Sequence, residues 1–351
     1  MDQLSAHLER GWDLAQRGDT AGARASAQRA LELEPDSPEV HNLVGYVAAL
    51  DGDSEEALEA YQQAIELDDH YVEAILNAAE LMVHPLGDHE GALRLCDQVL
   101  DITEYDDEIV DALLLKFEAH SARGEEDQAQ RVLEMLPEGP YESASQNFLV
   151  GRAHYESGDK HKAGTFIDAA LATEEGHAEA YYYAGLLAED AGDRRGACVA
   201  FLRTRQLELE LGMPPWAPNP ETFLLFTKNA VGELDARFQP YFETAELYVA
   251  DVPGPEMVVD GIDPRSMAMI DAMVVDFPET AEIPKTLGPE HVQLRVFLYA
   301  INIMRSAPAL HTVQQTIAEA LDQEMTLALE DIERELAGAQ QLDEMAADLE
   351  G

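Results

Sequence analysis

Cysteine is nearly absent from this chain: Cys96 and Cys198 are the only two in 351 residues. Both fall at apolar positions of expected helices, so small buried thiols are expected rather than a disulfide framework. Basic residues are scarce as well, 22 against 70 acidic, giving a net charge of −48. Binding to free nucleic acid rests on Lys and Arg against phosphate and is excluded, and an anionic membrane surface is disfavoured for the same reason. No run approaches the ~18–20 apolar residues of a membrane span, and the opening MDQLSAHLERGWD has neither a basic segment nor an apolar core. A cytoplasmic protein is expected. There is also no glycine-rich phosphate loop, no G-x-S-x-G elbow and no C-x-x-C pair. His84 and His89 lie around a turn and His154 and His161 flank Gly158, with no cysteine nearby, so surface histidines are expected and no metal or cofactor is. Ser143 and Ser145 read as helix-capping residues.

What remains is enough for real cores: 46% of residues are hydrophobic, and the length suits two or three domains. The acidity suits a solubility surface, as in a salt-rich setting, or the steering of a basic partner. The front of the chain repeats itself. Gly45, Gly52, Ala57 and Ala64 fall 34 residues after Gly11, Gly18, Ala23 and Ala30, and Gly185, Gly192, Ala197 and Phe201 fall 34 after Gly151, Gly158, Ala163 and Ile167. Small residues suit close helix crossings, Gly52 suits a left-handed helix end, and Asp53 or Ser54 suits the cap of the next helix. Leu58, Tyr61 and Ile65 form the apolar stripe. About six helical hairpins are expected over residues 1–211, the first from Leu4 to Pro35, the second from Pro38 to Asp69 and the third from Tyr71 to Asp101. The third and fourth are irregular; HPLGDHEGA carries an extra residue and a proline, and the fourth breaks at Pro137–Pro140.

A 34-residue helix–turn–helix period resembles the tetratricopeptide (TPR) repeat family. That resemblance implies a solenoid whose first helices line a groove for a protein or peptide partner. By repeat position the groove would present Trp12, Asn42, Tyr46, Asn77, Glu80, Arg152, Tyr155 and Tyr182, where aromatic and amide groups suit an extended peptide and the acidic surface suits a basic one. Any of them equally suits packing between repeats. The Lys/Asn/Arg clamp with which some family members grip a C-terminal carboxylate is missing.

Residues 212–220 hold four prolines in nine and read as a stiff linker. Beyond it the pattern changes: a helix at 221–237, a strand at Glu246–Asp251, a second strand at Val292–Tyr299, helices near Ala300–Arg305 and Leu310–Leu336, and an acidic helix or tail over 338–351. The order of VADVPGPE, Asp263-Pro264, the FLY strand end and Asn302-Ile-Met-Arg305 resembles the bacterial minimal zincin-like metallopeptidase family. The resemblance implies a small α/β domain over 221–337. Its chemistry needs H-E-x-x-H on the last long helix, two imidazoles on one face for zinc and a glutamate as base. Here a gapless alignment puts Glu319 at the first histidine, Ala320 at the base, Gln323 at the second histidine and Glu330 further along. Sliding by one places Ala318 and Asp322 at the histidines with Glu319 as base. No histidine follows His311 in the chain. An oxygen-only site would need six or more ligands, and a solvated acidic face accounts for these residues more simply.

The fold expected is mainly α, a helical-hairpin solenoid followed by a small α/β domain. The expected function is a non-catalytic interaction adaptor, with the C-terminal domain a metal-free pseudo-peptidase that binds peptide or covers the solenoid's end. The alternative is a metallopeptidase with altered ligands acting on a recruited protein.

Overall fold

Glycine–aspartate pairs divide the helices into hairpins. In a computed structural model of the chain, residues 3–214, 216–275 and 288–350 are described; Pro215 of the expected linker and the connection 276–287 lie outside them. Gly18, Gly52, Gly87, Gly158 and Gly192 all have positive φ, and the aspartate after each accepts from the backbone N–H three residues on. At Gly52, φ is 82°, a conformation that costs glycine nothing, and Asp53 rather than Ser54 is the cap, accepting from Glu56 N at 3.1 Å. The fourth hairpin has Glu125 in place of the aspartate and makes no side-chain cap.

The resulting hairpins are α1 (Gln3–Gln16) with α2 (Thr20–Leu33), α3 (Pro38–Leu50) with α4 (Ser54–Leu67), and α5 (Val72–Val83) with α6 (His89–Ile102). After them come α7 (Asp106–Ala122) with α8 (Glu126–Leu133), and α9 (Ala144–Glu156) with α10 (Lys160–Thr173). These five form one compact unit, Met1–Glu175. Successive buried clusters join each hairpin to the next: Ala27, Leu43 and Val47, then Ala48, Tyr61 and Ala78, then Ile75, Cys96 and Ala112, then Leu113, Leu133 and Val150. Cys96 is buried as expected; Cys198 is only half-buried.

The second compact unit, Gly176–Gly351, opens with the sixth hairpin, α11 (Ala178–Asp190) and α12 (Arg194–Leu211). Beyond the proline-rich stretch come α13 (Pro220–Glu233), α14 (Gln239–Phe242), β1 (Glu246–Ala250), α15 (Pro255–Val259), β2 (Ala268–Val274), β3 (Val292–Tyr299), α16 (Ala300–Ser306) and α17 (Val313–Glu350). The sheet has three strands where the sequence reading expects two. The order is β1-β3-β2, with β1 parallel and β2 antiparallel to β3. Alternate residues of β3, Val292, Leu294, Val296 and Leu298, are fully buried against Phe223 and Ala230 of α13 and Ile317, Leu321 and Met325 of α17. α17 continues as helix to Glu350, without a break at 338.

Candidate functional site

One register position runs through the first helix of each of the first five hairpins. Trp12, Tyr46, Glu80, Glu118 and Arg152 each follow the small or crossing residue of their helix. The interval is 34 residues except between Glu80 and Glu118, where it is 38. The chemistry along this ladder changes. At α1 and α3 it is aromatic, with the rings of Trp12 and Tyr46 4.9 Å apart. At α5 and α7 it is acidic, and at α9 it ends on Arg152, whose guanidinium is paired with Glu118 and lies 6.0 Å over the Phe148 ring.

The acidic stretch borders a cavity of about 600 Å³. Every lining residue comes from α5 and its C-cap, α7 or α9, the first helices of three consecutive hairpins. Leu76, Leu114, Leu115 and Leu149 supply the apolar surface, and Glu73, Asn77, Glu80, His84, Asp111, Glu118 and Arg152 the polar one. Both basic groups reach Glu118: Arg152 pairs with it and lies 3.7 Å from Glu156 as well, and His84 Nε2 lies 3.7 Å from Glu118. Among the described residues Glu80 and Asp111 make no ion pair, and His84 acts on Glu80 only as its weakest neighbour. Desolvation raises the Glu80 carboxyl above its ordinary pKa, and Glu118 and Asp111 push it further. Desolvation also raises Asp111, partly offset by the amide of Gln146, which donates to it at 2.9 Å.

Of the eight residues assigned to the groove by repeat position, Asn77, Glu80 and Arg152 line this cavity, and Trp12 and Tyr46 continue the ladder beyond it. Asn42 is corrected: it is fully buried, donating to Tyr71 Oη at 3.2 Å and accepting from Asn77 Nδ2 at 3.1 Å, so it ties α3 to α5. Tyr155 is half-buried and outside the cavity lining. Tyr182 belongs to the second unit, where its hydroxyl donates to Asp263 at 2.7 Å and its ring lies 4.4 Å under the Arg265 guanidinium. The sequence reading misses Glu73, His84, Asp111 and Glu118. The 38-residue interval hid Glu118, because counting by 34 from Glu80 lands on Leu114.

Landmarks that carried the zincin-like reading have local work in the second unit. Asn302 Nδ2 donates to the carbonyls of Pro264 and Ser266 at 2.8 and 2.7 Å, which fixes the turn leading into β2. Arg305 and Arg265 converge on Glu208 of α12, buried to 4% exposure, with Arg265 Nε donating to its carboxylate at 2.8 Å and Arg305 Nη1 3.4 Å from it. Val258 of α15 packs with Ala197 and Phe201 of α12, beside a smaller cavity of about 400 Å³. On α17 the buried stripe is Val313, Ile317, Ala320, Leu321 and Met325. Glu319, Gln323 and Glu330 lie off that stripe and are exposed, and Gln315 donates to Glu319 at 2.8 Å. Among the described residues, the side chains of metal-ligand type that gather within 4.8 Å are Asp68, Asp69 and His70, all exposed on a turn after α4.

With this geometry in hand, the likenesses to known proteins fall on the hairpins. Residues 8–72 match the tetratricopeptide repeat family. A stretch of 82 residues is 35% identical to "Probable biofilm formation methyltransferase WspC" of Pseudomonas putida, covering 23% of this chain and 19% of that protein. A stretch of 88 residues is 32% identical to the BBSome complex member bbs-4 of Caenorhabditis elegans, covering 25% and 19%. The chain thus spans about a fifth of the length of these curated relatives. Among solved structures, pilF of Pseudomonas aeruginosa is 19% identical with a TM-score of 0.49, over 58% of this chain and 91% of that one. PilW, a type IV pilus biogenesis factor, is 16% identical with a TM-score of 0.49, over 63% and 98%. The family match over residues 8–72 and the Gly–Asp hairpins define the class of the front of the chain, tetratricopeptide-type repeats, and a small three-stranded α/β part follows them.

Proposed function

We propose that this chain is a non-catalytic, cytoplasmic protein-interaction adaptor that holds a basic peptide segment of its partner in the groove of its first five hairpins. The observation that carries the reading is the cavity whose lining comes wholly from the first helices of three successive hairpins. It pairs leucine surface, which rewards burial of a partner's apolar atoms, with two carboxylates, Glu80 and Asp111, that make no ion pair among the described residues. In this reading the C-terminal part is a metal-free relative of the zincin-like peptidases, and its work is to cover the last hairpin. Arg265, Arg305 and Val258 supply the contacts with α12 that support that role. Glu319, Gln323 and Glu330 face outward from the buried stripe of α17, and three oxygen-bearing side chains fall short of the six or more ligands an oxygen-only ion takes, which weighs against the rival reading of a peptidase with altered ligands.

The test is selection of random nonapeptides displayed on phage against the immobilised full-length protein, repeated with Tyr46→Ala plus Arg152→Ala. Tyr182 is left intact because the second unit uses it. Selected peptides are expected to bind the wild type and to lose binding to the folded double variant. Retained binding would place recognition elsewhere. Incubating the same peptides with protein plus zinc and analysing them by mass spectrometry is expected to return them uncut. Cleavage abolished by a chelator would overturn the non-catalytic reading.

A further inference from the structure

We infer that the cavity between α5, α7 and α9 is an arginine seat, taking one guanidinium of the partner between Glu80 and Asp111 with its aliphatic stem against the leucines. The inference rests on the adaptor reading above and names the chemistry of its ligand.

Three observations converge on it. First, the cavity already holds a guanidinium. Arg152 enters from α9 and pairs with Glu118, so this surface has the shape and charge for that group. Second, the charges within the cavity do not balance. Arg152 is shared by Glu118 and Glu156 and His84 lies against Glu118, while Glu80 and Asp111, on facing helices, make no ion pair among the described residues, and Asp111 and Glu118 both bear on Glu80 against the weaker influence of His84. A ligand cation placed there relieves like-charge repulsion and gains two acceptors at once. Arginine's planar fork suits two carboxylates from different helices better than the single ammonium of lysine. Third, the rest of the lining is leucine: Leu76, Leu114, Leu115 and Leu149. A small inorganic cation has no use for that surface, whereas the three methylenes of an arginine stem do. A volume of about 600 Å³ is ample for one such side chain and the backbone that carries it.

Fluorescein-labelled nonapeptides of Leu, Ala and Gln, with a central Arg, Lys, citrulline or Glu, would be titrated with the full-length protein by fluorescence anisotropy. Citrulline keeps the shape of arginine and removes its charge. The Arg peptide is expected to bind most tightly, the Lys peptide less so, and the citrulline peptide at least about tenfold more weakly than Arg, as the loss of charge-assisted hydrogen bonds requires. Glu80→Gln and Asp111→Asn are each expected to weaken the Arg peptide by about tenfold, with the circular dichroism of the wild type retained. Glu55→Gln, an exposed residue of α4 outside the cavity, controls for net charge and is expected to change nothing beyond its share of long-range attraction. Equal binding of the Arg and citrulline peptides, or equal effects of Glu80→Gln and Glu55→Gln, overturns the arginine seat. Should the phage-selected peptides bind the groove while no Arg nonapeptide does, the seat falls and the adaptor stands; if neither binds, both fall.

Discussion

Gly45 shows how a single side chain sets the distance between two helices. A Cβ built there would lie 2.6 Å from the ring of Tyr61, which is only 2% exposed and has nowhere to move. Gly45→Ala is therefore expected to destabilise the first unit by about 1–3 kcal/mol, the cost of overpacking a filled core. Gly164, within α10, has nothing within 4 Å of its would-be Cβ. There Gly164→Ala is expected to be neutral or to stabilise by about 0.5–1 kcal/mol through helix propensity alone. Urea unfolding followed by far-ultraviolet circular dichroism compares the two, and a Gly45→Ala midpoint at or above that of Gly164→Ala would refute the packing argument. This contrast was legible in the sequence, because Gly45 recurs at the repeat spacing and Gly164 does not. What a residue touches at long range was not. Tyr182 looks like a groove aromatic by position, yet its hydroxyl is taken by Asp263, 81 residues away. Asn42 looks like a groove amide and is a buried tie between helices. Position within a repeat determines which way a side chain leaves its helix; it does not determine what lies in its path.

At the scale of elements, legibility followed locality. The hairpins announce themselves because every cue, the Gly–Asp turn and the small-residue crossing, lies within one repeat. β2 gave no such cue. Its residues, AMIDAMV, put Ala, Ile, Ala and Val on one face and Met, Asp and Met on the other, so both faces are largely apolar, most residues are half-buried, and hydrophobic alternation is blurred. They form a strand because β3 pairs with them from Ala268 opposite Leu298 to Val274 opposite Val292. The approach to that strand is held from outside it, by Asn302 at the start of α16. Both N–H groups of its amide are spent on the Pro264 and Ser266 carbonyls in a buried setting. Asn302→Ala leaves those two carbonyls without their donor and is expected to cost about 2–3 kcal/mol. Because the bonds anchor the turn rather than the core, the loss is expected to appear first as faster amide hydrogen exchange in Ala268–Val274, with the hairpins of the first unit unaffected. Unchanged exchange in β2 would show that pairing with β3 alone holds the strand in place. The same amide opens the landmark Asn302-Ile-Met-Arg305 in the sequence. Its spacing was visible; its two acceptors, 36 and 38 residues away, were not.

For the whole molecule the governing fact is the charge of −48. With 22 basic residues against 70 acidic ones, carboxylates outnumber Lys and Arg by about three to one. Individual pairs such as Arg24 with Asp51 and Glu56 are half-exposed and contribute little each. The larger effect is mutual repulsion, which favours any state in which the carboxylates stand further apart, the unfolded one above all. Salt acts on that repulsion directly: the screening length falls from ~30 Å at 0.01 M to ~3 Å at 1 M. Raising sodium chloride through this range is therefore expected to raise the melting temperature, by about 2–4 °C for each kcal/mol of repulsion removed. A chain stabilised mainly by surface ion pairs would respond the other way, so a flat or falling Tm would refute the claim that repulsion dominates. The same titration has the opposite sign for binding. The attraction between the acidic groove and a basic peptide is screened by the ions that steady the fold, so affinity for an arginine peptide is expected to fall over the salt range in which Tm rises. Chloride is the anion to use, since sulfate would add its own exclusion from protein surface and stabilise any fold regardless of charge. Opposite slopes in one buffer series would trace both effects to a single cause, an excess of carboxylate that the fold tolerates and the groove uses.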